Sequence, residues 1–87
     1  MKITHNGTEY VIRFVHLREN NEERTICAIL TTAGQCCGSG IAHCSPQDNF
    51  RRATGRKLAL SRAVQDAFPR EQRAAVWAAI WEARKAV

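Results

Sequence analysis

The side chains in this sequence best suited to chemistry are thiols, imidazoles and guanidiniums, and their spacing decides what each can support. Cys36, Cys37, His43 and Cys44 fall close together, and a tetrahedral zinc ion takes ligands of these types. Neighbours on an extended strand point to opposite faces, however. Cys36 and Cys44 then share one face while Cys37 and His43 share the other, and even with Cys27 as an extra ligand the set does not converge on one ion. A nucleophilic or redox cysteine needs a thiol of lowered pKa beside a histidine, or a second thiol at Cys-x-x-Cys spacing. Adjacent Cys36-Cys37 supplies neither, and His5 and His16 read as ordinary strand residues. The expectation is a chain with no catalytic residue, no metal and no cofactor, its cysteines acting as small apolar packing groups.

The guanidiniums are more telling. Arg51, Arg52, Arg56, Lys57 and Arg62 crowd one stretch, four of the five being arginine. Only Arg62 has an acidic residue four positions on, Asp66. A solvated charged face is the ordinary fate of such a run. The preference for arginine, whose planar fork matches phosphate and carboxylate, favours a binding surface instead. Arg73 and Arg84 are expected at its border. Trp77 and Trp81, four residues apart, read first as core and second as anchors for a partner, since tryptophan and arginine are enriched at binding hot spots.

Charge is divided along the chain. Residues 1–50 carry four basic and five acidic groups, a net of −1, whereas residues 51–87 carry nine basic and three acidic groups, a net of +6. Such polarity suits an anionic partner or an acidic protein face. The 87 residues allow one modest core and one domain, 1–87. No apolar run is long enough to span a membrane, and Met1-Lys2-Ile3-Thr4-His5-Asn6-Gly7 does not lead into a secretory signal. The expected location is a cytoplasm, with reduced thiols.

The elements that must position these groups change period midway. Lys2–Thr4 and Thr8–Leu17 flank Asn6-Gly7, a dipeptide suited to a tight hairpin. In the second strand Tyr10, Ile12, Phe14 and His16 alternate with Val11, Arg13, Val15 and Leu17. Arg18–Arg24 reads as a polar connection, Thr25–Leu30 as a third strand, and Cys36–Cys44 as a fourth. Gly38 and Gly40 weaken that fourth strand and suggest a bulge or close packing of its backbone against a helix. From Ser45 the period becomes helical, with Ser45 or Asp48 as cap. Phe50, Ala53, Leu60, Val64, Ala67 and Phe68 form the expected core stripe, and Gly55 interrupts it. Phe68-Pro69 breaks the helix, and a second runs to about Ala86 with Ala74, Trp77, Ile80 and Trp81 as its apolar face. The fold class is α+β: an antiparallel β-meander of three to four strands packed against two C-terminal helices.

One stretch has a familiar pattern: Gly40-Ile41-Ala42-His43-Cys44-x-x-x-Asp48-x-Phe50-x-Arg52-x-x-Gly55-Arg56-Lys57-x-Ala59-Leu60-x-Arg62-Ala63, followed by Arg70-x-x-Arg73 and Trp77-x-x-x-Trp81. It resembles small phage and prophage proteins, some grouped with anti-CRISPR proteins, including inhibitors of type I systems. The resemblance covers about half the chain. It implies a stoichiometric inhibitor in the bacterial host cell that occupies a Cas protein or surveillance complex and blocks target-DNA binding or nuclease recruitment. Many such inhibitors are acidic mimics of DNA, whereas this chain is basic and would dock on an acidic surface or touch nucleic acid. A weaker likeness is to double-stranded-RNA-binding domains, through Gly55-Arg56-Lys57-Leu58-Ala59, although their first helix is absent. The alternative function is thus a small nucleic-acid-binding protein. A homodimer covering the face with Val11, Val15 and Leu17 stays open.

Overall fold

The computed structural model describes residues 1–19, 22–44 and 52–85. Four strands, β1 (Lys2–His5), β2 (Thr8–Glu19), β3 (Glu22–Thr31) and β4 (Cys36–Cys44), form one antiparallel sheet in the order β1-β2-β3-β4. Two helices follow, α1 (Arg52–Ala67) and α2 (Arg70–Lys85), giving the expected α+β fold. Asn6 and Gly7 take φ of 51° and 75°, the left-handed pair that a two-residue hairpin turn between β1 and β2 requires.

The β2–β3 hairpin is longer than the sequence suggests. Arg18–Arg24 was expected as a connection, yet pairing continues through Leu17↔Arg24, Arg18↔Glu23 and Glu19↔Glu22. Polar side chains do not stop a strand whose backbone groups are already paired in register. The sheet is therefore a long arm as well as a platform.

Both helices lie over one face of the sheet, α1 against β3 and β4 and α2 against β1. Alternation fixes which residues meet them: Ile3 on β1, Ile12 on β2, Cys27 and Ile29 on β3, and Ala42 on β4 are all buried. Gly38 and Gly40 provide the close approach expected of them. A Cβ on Gly38 would lie 2.7 Å from the Ala67 Cβ, and one on Gly40 would lie 2.5 Å from the Ala63 amide nitrogen and against the Ala59 carbonyl. Gly55, Ala59, Ala63 and Ala67, one turn apart, therefore form the ridge that seats α1 on β4. Gly55 is buried within a continuing helix and does not interrupt it. Of the expected α1 stripe, Leu60, Val64 and Phe68 are buried and Ala67 is half-buried, while Phe50 and the Ala53 side chain lie outside the described residues, as do both candidate caps, Ser45 and Asp48.

A bulge at Cys37 changes the parity of β4, since Ile29 pairs with Gly38 but Leu30 pairs with Cys36. The strict parity expected along this strand, Cys36 with Cys44 and Cys37 with His43, therefore does not hold across the bulge; Cys36 and Cys37 are both exposed, and the Cys44 side chain lies outside the described residues. Among the described residues no three His, Cys, Asp or Glu side chains converge as metal ligands.

The buried face of α2 is rotated from the one expected. Val76 and Ile80 are buried, with Gln72, Ala79 and Ala83 half-buried beside them, whereas Ala74 is exposed and Trp81 is 52% exposed. The helix docks on β1, so the side chains facing the sheet are chosen by the smaller residues that fit there, and the bulkier Trp81 is turned outward. Phe68 fixes the α1–α2 junction: its ring packs edge-on against His5 and Tyr10, with centroids 5.5 and 5.3 Å away. His5 Nε2 donates to Gln72 Oε1 at 3.3 Å, tying β1 to the first turn of α2.

Candidate functional site

Among the described residues the cations of the positively charged half do not present one continuous face. Arg56 and Arg62 are six residues apart on α1, which places them about 120° apart around the helix axis. Arg62 turns toward β4, where Nη1 donates to the Ile41 carbonyl. Asp66, expected to pair with Arg62, instead accepts the Ser39 amide at 3.0 Å. Both groups are thus committed to the outer edge of β4, whose alternate N–H and C=O groups have no strand beyond them among the described residues. Arg73 is committed too: its Nε donates to the Phe68 carbonyl at 3.1 Å and its Nη2 to the Gln65 carbonyl at 3.2 Å. These carbonyls lie in the last turn of α1 and just past it, where partners within the helix are lacking. Arg51 and the Arg52 side chain lie outside the described residues.

The other cations expected at the contact surface, Arg56, Lys57 and Arg84, come together. They line a cavity of about 430 Å³ with Met1, Phe14, Leu60, Trp77 and Trp81. The floor is Phe14 on the helix-facing side of β2. One wall is the N-terminal half of α1 and the other is the C-terminal half of α2, the ends of the two helices farthest from their junction at Phe68-Pro69. Met1 is held at the rim by the β1–β2 pairing, the Ile12 amide donating to the Met1 carbonyl at 2.8 Å.

The electrostatics of the cavity are one-sided. Among the described residues no carboxylate lines it, and neither Arg56, Lys57 nor Arg84 forms an ion pair. Arg84 lies over the Trp81 ring with its guanidinium carbon 5.4 Å from the centroid, a cation–π arrangement that steadies both groups at the mouth. Trp77 is half-buried beside Leu60 and the core, while Trp81 keeps about half its surface open. Trp77 thus packs against the core, as first expected of the pair, while Trp81 does not. An apolar floor with exposed indole and three cations at its rim can take a flat ring against the tryptophan and an anionic group against the guanidiniums.

Of the residues expected at the contact surface, Arg56, Lys57 and Arg84 are brought together, whereas Arg62 and Arg73 are placed elsewhere. Phe14, Leu60 and Met1 are additions that helical-wheel reasoning, applied one helix at a time, does not reach. No family model, curated protein or solved structure matches the chain.

Proposed function

We propose that this chain is a binding protein that acts by occupancy, docking through the Arg56–Lys57–Arg84 cleft on an acidic, ring-bearing surface of a larger partner. The observation that carries this reading is the convergence of three cations, with no carboxylate among the described lining residues, beside an exposed tryptophan. Arginine and tryptophan placed together over an apolar floor are what an interface centre requires. The resemblance noted in the sequence gives the partner its most specific form: a Cas protein or type I surveillance complex in the bacterial cytoplasm, blocked from binding target DNA or recruiting its nuclease. Among the described residues no helix is long and apolar enough to cross a membrane.

Capture of purified Cas subunits or assembled type I complex on the tagged protein, with phage plating in parallel, tests this reading. Retention of a subunit by the wild type and its loss with Arg56→Glu/Arg84→Glu supports it. Failure to retain any Cas subunit, with no relief of CRISPR immunity, sinks it.

One observation favours a second reading. Trp81 is half-open and flanked by guanidiniums, the combination by which single-stranded nucleic acid is held through base stacking and phosphate contacts. Gel shifts at low and high salt separate the two, because tight binding to naked nucleic acid that collapses as salt rises belongs to this alternative alone.

A further inference from the structure

β2 is longer than the strand beside it, and the excess is an open sheet edge. β1 pairs with Thr8–Val11, and Met1 pairs with Ile12. Among the described residues Arg13–Glu19 therefore has β3 on one side and no strand on the other. The last bonds of the β1 pairing show which backbone groups are open. The Ile12 amide donates to the Met1 carbonyl at 2.8 Å and the Met1 ammonium donates to the Ile12 carbonyl at 3.3 Å, so both Ile12 groups face the β1 side. Alternation turns the N–H and C=O of Phe14, His16 and Arg18 the same way, whereas those of Arg13, Val15, Leu17 and Glu19 face β3. The side chains of Arg13 and Val15–Glu19 are exposed and Phe14 is half-buried.

An open edge accepts another strand unless it is guarded, and charged side chains are the usual guard. Arg13, Arg18 and Glu19 guard this edge against most strands, but not against a second copy of itself. Laid antiparallel on its own sequence with His16 on the twofold axis, the stretch sets Arg13 opposite Glu19, Phe14 opposite Arg18 and Val15 opposite Leu17, each twice. Phe14, His16 and Arg18 then meet as hydrogen-bonded pairs, and their two outward groups apiece make six backbone bonds across the axis. Within one copy Arg13 faces Ala28 and Glu19 faces another carboxylate, Glu22, so neither has an opposite charge across its own ladder. The second copy supplies one to each. Arg18 comes to lie beside Phe14, a residue of the cleft floor, but it faces Glu23 on its own β3 and so adds little to the cleft's positive charge.

Neighbouring registers are poorer. A shift of one residue sets outward groups against inward ones. A shift of two in one direction drives Arg18 onto Met1, which already occupies the place opposite Ile12. In the other direction it carries Phe14 past the end of the other β2 and sets Glu19 against Val15. We propose that the Arg13–Glu19 edge is the interface of a homodimer in which two β2 strands pair antiparallel about His16, joining the two sheets into one. A single strand pair is a small contact, so the dimer is reversible and forms between about micromolar and millimolar protein. This inference stands apart from the proposed function.

Sedimentation equilibrium over that concentration range, with amide exchange followed residue by residue, tests it. The wild type passes from monomer to dimer, and exchange slows in step at the Phe14, His16 and Arg18 amides, the three that face outward. Arg13→Glu and Glu19→Arg each weaken association by about tenfold, because an opposite-charge pair becomes a repulsion at both ends. Their circular dichroism spectra match the wild type. An equimolar mixture of the two variants recovers association, since their heterodimer has opposite charges at both ends. Wild type that stays monomeric to millimolar concentration, a dimer in which those three amides exchange as they do in the monomer, or a mixture that fails to recover overturns the proposal. So does a monomer whose edge amides become protected only when a different protein is added.

Discussion

Cys27 shows at the level of one atom how the core constrains the chain. It is buried in the middle of β3 opposite Gly40, and burial pushes its thiol from the ordinary 9.0 to about 12. The unfolded chain therefore loses this proton at lower pH than the folded one does. Stability from the neutral buried thiol is fully present below pH 9 and is lost as pH rises from 9 toward 12, with a slope of up to ~1.4 kcal/mol per pH unit. Urea unfolding at mildly and strongly alkaline pH should show this loss in the wild type and a shallower one in Cys27→Ala. Equal slopes would mean that the thiol does not couple to folding. That a cysteine here is a packing residue was legible from the strand around it. The exposure of both Cys36 and Cys37 was not, since a bulge depends on which partner residue each faces across the ladder, and alternation along one strand carries no such information.

At the scale of elements, the contact between α1 and β4 is the most demanding in the fold. Gly40 lies under the helix backbone, and a methyl group there meets the Ala59 carbonyl and Ala63 amide, atoms that move only if α1 lifts off the sheet. Gly40→Ala should cost about 1–3 kcal/mol, the usual price of overpacking, and lower the melting temperature by roughly 5–20 °C in a domain of this size. Ser39→Ala, on the outer face of the same strand, should shift it far less. Thermal denaturation of the two variants gives the comparison, and similar melting temperatures would mean that the ridge and the glycines are not in tight contact. The glycine pair announced this contact in the sequence because a strand rarely carries two glycines without need. The orientation of α2 was harder to read. Two tryptophans dominate its apolar moment, yet Val76 and Ile80 are the residues that fit against the sheet, a choice made by the space beside β1.

At the scale of the whole molecule, charge is sorted by what lies next to it. The sequence shows nine basic groups beyond residue 50, and read along the helices they suggest one broad cationic face. Tertiary contacts divide them. Arg62 is drawn to the β4 edge and Arg73 to the end of α1, while Arg56 and Arg84, twenty-eight positions apart, meet across the cleft. Such a meeting depends on the angle between two helices, which no single-helix pattern contains. The division makes a prediction that separates recognition from scaffold. Neutralising a cleft cation, by Arg56→Gln or Arg84→Gln, should weaken partner binding by about tenfold and reduce its salt dependence, because a charge contributing to the contact is removed. Melting temperature should hardly change, as the side chains are exposed and form no ion pair among the described residues. Arg73→Gln should do the reverse. It strips hydrogen bonds from the α1 carbonyls, at a cost of about 1–2 kcal/mol, and leaves the salt dependence of binding intact. Binding isotherms at two ionic strengths, read beside melting curves for the same three variants, decide the matter. If Arg73→Gln flattens the salt dependence as much as the cleft variants do, recognition spreads over the helices as a diffuse field and the cleft is not its centre.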